Sequence, residues 1–391
     1  MTERARVGIN LLWLVPGVVG GSEVATTTVL EGLAADPPPD LEHVLFVLAP
    51  FAAARPDLVE RFETVVLPQT GRVKGVRVAA EQTWLPAQLR RRHIDVVHHA
   101  GGTMPLASAF GARQPLASAS GARRRTASPS ASGARRRTVV TLHDLQPFDL
   151  PAHFHPAKRA WLRAVVPASL RAADVVVTPS AWVRGTVIDR YGLDPERIHV
   201  VHHGLPPVPE PTGAATLRRR YDLPGRIVVY PAITYPHKDH VTLVRAFAAL
   251  VADHDDLTLV LTHRAEQAEG EVRAEIDRLG IGHRVRRTGR IPFPDVAGLV
   301  ALADVLAFPS RYEGFGLPVL EAMASGTPVV AADATALPEV IGDGGRLVPP
   351  GAVDAWAAAL AAVLDDPAEA ARLSAAGRRR AARFTAAASA A

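Results

Sequence analysis

The sequence predicts an α/β protein built from two doubly wound, Rossmann-like domains that face each other across a cleft, and three observations carry that prediction. Its 391 residues exceed what one ordinary hydrophobic core accommodates. Short apolar runs alternate with helix-patterned stretches along nearly the whole chain, as parallel sheets covered on both faces require. The Pro- and Gly-rich stretch "LPPVPEPTGAA" (205–215) divides that alternation into two halves. The expected layout is a first domain over 1–204, a linker over 205–215, a second domain over 216–370 and a tail over 371–391 that crosses back toward the first domain.

The first element is "RVGINLLWLV" (6–15), read as a strand. Arg4 and Arg6 before it give the stretch the look of a secretory leader, but no A-x-A-like cleavage site follows. A turn at Gly20–Gly21 and a helix over 22–35 follow instead, so the segment opens a βαβ unit. Strands are then expected at "LEHVLFVLAP" and "ETVVLP", a helix at "AEQTWLPAQLRRRH" (80–93), and strands at "IDVVHHA", "RTVVTLHD" and "ADVVVTPS". Ser180 is placed to cap the helix "AWVRGTVIDRYG", and "RIHVVHHG" closes the half as a strand. The second half repeats the rhythm. Strands are expected at "GRIVVYPAI", "LTLVLTH", "HRVRRTG", "DVLAFPS" and "TPVVAAD". Helices are expected at "HVTLVRAFAALVAD", "AEGEVRAEIDRLG", "FPDVAGLVALA" and "AVDAWAAALAAVLDD". Ligands of such sheets bind beyond the carboxyl ends of the strands.

One segment breaks the rhythm. "PLASAFGARQ", "PLASASGARRRT" and "ASPSASGARRRT" (105–138) are near-copies, small, polar and basic, and are expected to form a disordered surface loop. The net charge is +5, with arginine clusters read as solvated faces; contact with anionic membrane lipid is the alternative. No run approaches the roughly 20 apolar residues of a membrane span, so a cytoplasmic protein is expected, with peripheral membrane contact as a second possibility. The absence of cysteine excludes disulfides, a thiol nucleophile and thiolate-bound metals.

The most informative stretch is "PSRYEGFGLPVLEAMASGTPVVAAD" (309–333). A buried strand runs into Gly314, Phe315, Gly316 and Leu317, a side-chain-poor turn at the start of a helix that carries Pro318 and stops at Gly326. Backbone N–H groups and the helix dipole favour an anion at such a turn. Glu313 and Glu321, on either side of it, are acceptor-only groups suited to hydroxyls. The combination fits a ligand that is part anion and part polyol. Lys238, in the loop after the first strand of the second domain, adds a mobile charge for a diphosphate. His143 and Asp144 stand at the carboxyl end of a first-domain strand, where a structural histidine is the plainer reading of the pair taken alone. "DHD" (253–255) falls in a helix-to-strand turn at the wrong end of the sheet, no H-E-x-x-H occurs, and "GFGLPV" lacks the third glycine of a dinucleotide fingerprint. A metal site and an oxidoreductase are therefore not expected.

These motifs resemble the retaining glycosyltransferases of family 4 (group 1), of GT-B fold, over nearly the whole chain. The E-x7-E pair Glu313 and Glu321 is the most specific mark, joined by "PVVAADATALPEVIGDGGRLVPP", Gly20–Gly21, His143–Asp144 and "PHKDH" at 236–240, the last similar to a mannosyltransferase branch. The resemblance implies that Glu313 contacts the donor sugar. It implies that backbone from Gly314 to Leu317 cradles the diphosphate with Lys238 and Gly21, and that Glu321 holds the ribose. His143 reaches the sugar's primary hydroxyl, with Asp144 beside it, and backbone at Arg290 and Ile291 touches the base. Where many relatives carry a second phosphate-binding arginine this chain has Ala232, and the tail is short for the family. The implied reaction moves a hexosyl group, mannose favoured, from a nucleoside-diphosphate sugar, GDP-mannose favoured over UDP-sugars, to a glycan or lipid-linked acceptor. No metal or other cofactor is implied. A sugar-nucleotide epimerase and a non-catalytic nucleotide-sugar-binding subunit remain as alternatives.

Overall fold

The structure, a computed structural model, describes residues 4–18, 20–110, 136–207, 210–262 and 264–391. Most of the repeat segment over 105–138, and with it the expectation of disorder there, lies outside the described residues, as do positions 208–209 of the expected linker. The chain divides into two compact units, one of residues 1–179, 183–201 and 390, the other of 180–182, 202–389 and 391.

The first unit holds a parallel sheet of β1 (Ala5–Asn10), β2 (Leu41–Leu48), β3 (Glu63–Leu67), β4 (Val96–His99), β5 (Arg137–Thr141), β6 (Val175–Thr178) and β7 (Ile198–Val200), in the order β3-β2-β1-β4-β5-β6-β7. β1 pairs with β2 from Ala5↔Leu41 to Asn10↔Phe46 and with β4 from Val7↔Val96. The unbroken apolar run of β2 follows from cover on both faces. Val44, Phe46 and Leu48 pack with Leu85, Leu89 and Ile94, whereas Leu45 and Val47 point the other way, onto Leu30, Leu33 and Phe51.

The first strand is shorter than its apolar sequence suggests. β1 stops at Asn10 because that side chain's Oδ1 accepts the Leu12 N–H at 3.1 Å and bends the chain, after which Leu14 N–H donates to the Leu11 carbonyl at 3.0 Å. Leu11, Leu12 and Leu14 are fully buried as turn residues.

The second unit holds β8 (Arg226–Pro231), β9 (Leu257–Thr262), β10 (Val285–Gly289), β11 (Val305–Phe308), β12 (Val329–Ala332) and β13 (Arg346–Val348), in the order β10-β9-β8-β11-β12-β13, all parallel. β9, β11 and β12 are buried at every residue. The strand order reverses between β8 and β11, and a doubly wound sheet opens its ligand crevice at such a point. The helix Pro367–Ala381 is capped by Asp366, whose carboxylate accepts the Ala368 and Glu369 N–H groups, and lies on this unit, with Arg380 Nε donating to the Val340 carbonyl at 3.0 Å. Beyond it, Leu205 N–H donates to the Phe384 carbonyl at 2.9 Å and Ser389 Oγ to the His202 carbonyl at 2.7 Å. Among the described residues no helix is long and apolar enough to cross a membrane.

Candidate functional site

β11 delivers the chain to the Glu313–Leu317 turn at the switch point. Gly316 sits at φ 112°, a conformation that glycine adopts without penalty, and caps the helix Leu317–Ser325. A Cβ there would come within 2.7 Å of Leu337 Cδ2. The helix therefore starts at Leu317, inside the stretch that the sequence alone reads as turn, and ends at Gly326 with φ 81°. Its buried residues Val319, Leu320 and Met323 anchor it on the sheet, which fixes the direction in which its N-terminus points. The N–H groups of Phe315, Gly316 and Leu317 donate to no acceptor among the described residues. The Gly314 carbonyl accepts from Ser180 Oγ at 2.8 Å, so the loop is tied down through a carbonyl and its N–H groups are left for a ligand.

The structure brings Lys238 and Glu313 together. Lys238 ends the short turn Pro236–Lys238 that follows β8, and its Nζ lies 2.5 Å from Glu313 Oε1 with both side chains largely buried. The same ammonium stands 5.6 Å from the centre of the Phe308 ring. Its backbone is fixed too. The Lys238 carbonyl accepts from Tyr230 OH at 2.7 Å, and burial holds that phenol well above its usual range, as a donor. Asp239, at φ 51°, accepts from Thr242 Oγ1 at 2.8 Å and from Arg311 Nε at 2.7 Å, and the Arg311 N–H donates to the His237 carbonyl. The loops after β8 and β11 are thus tied into one support for the ion pair.

Glu321 lies half-buried in the first turns of the Leu317–Ser325 helix, and burial pushes its carboxyl up to about 7. Sequence reasoning missed Thr335. It is a β-branched residue at φ 53°, and its Oγ1 accepts the Glu313 N–H at 3.0 Å. Its signal lies in "ATALPE", part of a stretch that carries the family resemblance but names no role for this residue. Arg290 is exposed and Ile291 half-buried, directly after Gly289 at the end of β10. Next to them lies a cavity of about 140 Å³ lined by Ala232, Thr234, Thr262, Glu269, Arg287 and Gly289. Ala232, standing where many relatives carry an arginine, therefore borders open space.

Gly21, His143 and Asp144 belong to the first unit. Gly21 is the first residue of the helix Gly21–Ala35, after Gly20 at φ 80°, and a Cβ at either glycine would meet no atom within 4 Å. His143 Nε2 lies 2.9 Å from the Ala100 carbonyl, which fixes Nε2 as the protonated nitrogen, and burial holds the ring's pKa down, in the neutral form. Asp144 Oδ1 accepts the Gln146 N–H at 2.9 Å. Along the same sheet edge, Asn10 Nδ2 donates to His99 Nδ1 at 3.2 Å, and burial pushes the Glu81 carboxyl up to about 7 although Asn10 bonds to it.

Known families match this chain in two adjoining stretches. The family model described as "Glycosyltransferase Family 4" matches residues 19–207, and "Glycosyl transferases group 1" matches residues 218–380. The second match contains Lys238, Glu313, Glu321 and Thr335, and the first contains Gly21, His143 and Asp144. The chain belongs to the family 4 glycosyltransferases. It is 37% identical over 212 residues to MMP alpha-(1->4)-mannosyltransferase of Mycolicibacterium hassiacum, covering 53% of this chain and 49% of that protein. It is 30% identical over 236 residues to O-antigen chain mannosyltransferase B of Escherichia coli, covering 59% and 62%. It is 34% identical over 225 residues to a D-inositol 3-phosphate glycosyltransferase of Thermobispora bispora, covering 54% and 53%. The matched stretch thus spans about half the length of these curated relatives. Among solved structures, Anabaena HepE in complex with UDP and glucose matches with a TM-score of 0.68 at 21% identity, covering 98% of this chain and 96% of that one. Sucrose-phosphate synthase from Thermosynechococcus elongatus matches at 0.71 and 20%, covering 98% and 95%. These likenesses establish the fold of the family, GT-B, with two doubly wound sheets.

Proposed function

We propose that the chain transfers a hexosyl group, mannose favoured, from a nucleoside-diphosphate sugar to a glycan or lipid-linked acceptor, with retention at the anomeric carbon. The observation that carries the reading is the Lys238–Glu313 pair beside the open N–H groups of Phe315 to Leu317, at the switch point of the second sheet. In this reading the diphosphate occupies the helix N-terminus, and Lys238 leaves Glu313 for a phosphate oxygen. Glu313 is then free to accept from sugar hydroxyls, and Glu321 accepts from the ribose. The base lies at the Arg290–Ile291 turn, and the family resemblance assigns contacts with the donor to His143 and Gly21. The anomeric carbon–oxygen bond to the diphosphate breaks while a bond to the acceptor oxygen forms on the same face. The acceptor's proton goes to the departing diphosphate. Lys238 and the fixed N–H groups carry the leaving group's charge, so no metal is required. Mannose and GDP are favoured by the "YPHKDH" stretch and by the two mannosyltransferases among the relatives.

A donor panel tests this. The chain is incubated with GDP-mannose, UDP-glucose, UDP-galactose, UDP-N-acetylglucosamine and ADP-glucose in EDTA, with a crude lipid extract as acceptor. Diphosphate release is followed, and the anomeric configuration of the product is read by NMR. Release from one donor, with an α product, is expected. A strict metal requirement or an inverted product contradicts the mechanism.

A further inference from the structure

The turn that the donor reading uses is braced by one short segment of the second unit, at alternate residues. Thr335 Oγ1 accepts the Glu313 N–H at 3.0 Å. Leu337 fills the space beside Gly316, where a Cβ would come within 2.7 Å of its Cδ2. Glu339, in the helix Leu337–Ile341, is the third, and the donor reading gives it no role. Its side chain is largely buried and reaches back to the stretch Ser180–Trp182, which belongs to the same unit as the turn. Glu339 Oε1 accepts the Ala181 N–H at 2.8 Å, and Oε2 accepts the Trp182 N–H at 3.2 Å. His202 Nε2 donates to Oε1 at 2.8 Å. Both carboxylate oxygens are thus occupied, and Glu339 acts through its partners.

Each of those partners ends on the turn. Ser180, fully buried, directly precedes the two gripped N–H groups, and its Oγ donates to the Gly314 carbonyl at 2.8 Å. That carbonyl and the Phe315 N–H share one rigid trans peptide plane, so fixing the first aims the second the opposite way. The Trp182 ring meets the Tyr312 ring edge-on at 5.4 Å, just ahead of Glu313. The His202 ring lies 6.0 Å from that of Phe315, which His203 at 5.0 Å and Phe384 at 5.8 Å also cover. The backbone around Glu339 is fixed in turn, with Arg380 Nη2 donating to its carbonyl at 2.5 Å and Arg380 Nε to that of Val340 at 3.0 Å. Burial works to raise the pKa of the Glu339 carboxyl. The bonds from His202, Ala181 and Trp182 outweigh it and hold the group ionised, below its usual range. An ionised carboxylate is acceptor-only and matches these three donors.

We propose that Glu339 is a positioning residue of the donor site. By holding Ser180 on the Gly314 carbonyl and His202 against Phe315, it aims the N–H groups of Phe315 to Leu317 at the diphosphate. This rests on the transferase reading above and deepens it. Fixed donors stabilise the charge of a leaving group without reorganising, and Glu339 supplies that fixity. Without its charge, the Ala181 and Trp182 N–H groups lose their acceptor and the Gly314 peptide is free to turn.

The test titrates GDP-mannose and UDP-glucose by calorimetry into the full chain, in EDTA, and into Glu339→Gln, Ser180→Ala and their double variant. Glutamine keeps the size of Glu339 but turns an NH₂ toward one of the donors. Asp366→Asn is the control. Asp366 holds the N–H groups of Ala368 and Glu369 as Glu339 holds two, and its bonds lead to no residue of the turn. Urea midpoints establish that each variant is folded under the conditions of the titration. Glu339→Gln is expected to bind the parent's donor about tenfold or more weakly, while Asp366→Asn loses stability and binds as the parent does. The double variant is expected within about twofold of the weaker single variant, since both side chains act through the Gly314 carbonyl. A lowered urea midpoint in Glu339→Gln with unchanged donor affinity would mark a helix cap alone and overturn the inference, as would multiplicative losses in the double variant. A parent that binds neither sugar nucleotide removes the donor reading and this inference with it. A parent that binds one of them no better than Glu339→Gln does removes this inference alone.

Discussion

Replacing Glu313 by alanine lowers turnover by about 10²–10³-fold while the chain stays folded. Two effects combine. The carboxylate proposed to meet the donor sugar is gone, and Lys238 loses the partner 2.5 Å away that positions it. The loss appears mainly in kcat, because the contacts are made most strongly as negative charge builds on the departing diphosphate. Lys238→Ala is expected to cost a similar factor. The double variant should be little worse than the poorer single variant, since the two side chains work as a unit. Folding survives because the pair stands at the carboxyl edge of the second sheet, supported by Tyr230, Asp239 and Arg311, and not in its core. Release of nucleoside diphosphate measures the activity, and unchanged turnover in Glu313→Ala, or strictly multiplicative losses in the double variant, contradicts this assignment.

Ionisation of the buried Glu321 carboxyl works against folding as the pH rises from about 5 to 8, and Glu321→Gln removes that contribution. Burial pushes the carboxyls of Glu321 and Glu81 up to about 7, well above where the unfolded chain gives up these protons. Below the ordinary glutamate pKa both states are protonated and the contribution is fully present. Between there and about 7 the folded chain holds protons that the unfolded chain has released, so stability falls as pH rises through that window. Each tenfold difference in proton affinity between the folded and unfolded chain is worth about 1.4 kcal/mol, so the single glutamine variant should gain up to about 3 kcal/mol over the parent at pH 8 and almost nothing at pH 5. His98 and His99 act in the opposite direction over the part of this window below the ordinary histidine pKa, in the parent and in Glu321→Gln alike, so the difference between the two reports on Glu321. Burial lowers their pKa values to about 4 and about 3, so their contribution is present above the ordinary histidine pKa and is lost on acidification. Urea midpoints at several pH values, with unchanged m, measure the effect. An equal pH slope in the parent and in Glu321→Gln would show that this carboxylate is not held in a buried, protonated state.

Much of this was legible in the sequence because parallel sheets write themselves as short, fully apolar runs. β9, β11 and β12 are legible to within a residue or two because every position in them is buried. The turn at Gly316 is legible because only glycine sits easily at φ 112°. What escapes has weaker or contrary local signals. The helix Pro156–Ala172 is not anticipated, since Pro167 inside it reads as a break, yet packing of Val165, Val166 and Leu170 holds it. The apolar run after Asn10 looks like strand and is a buried turn, a choice made by one side-chain amide. In the candidate site, Glu313 and Lys238 are each visible as residue types in a motif, but their pairing is not. It depends on the loops after β8 and β11 meeting across the sheet, 75 residues apart in sequence. Thr335 and Ser180 hold that loop by hydroxyl contacts that no local pattern announces: the stretch around Thr335 names no role for it, and Ser180 reads from the sequence as a helix cap, whereas its Oγ donates to the Gly314 carbonyl.

The central claim is that the Glu313–Glu321 segment of the second unit holds a nucleoside-diphosphate sugar, and calorimetric titration of GDP-mannose and UDP-glucose in EDTA tests it most directly. One of the two is predicted to bind at one site per chain, about tenfold or more weaker in Lys238→Ala and in Glu321→Ala, each variant folded by its urea midpoint. Absence of binding by both sugar nucleotides, or equal affinity in the parent and the two variants, would contradict the account.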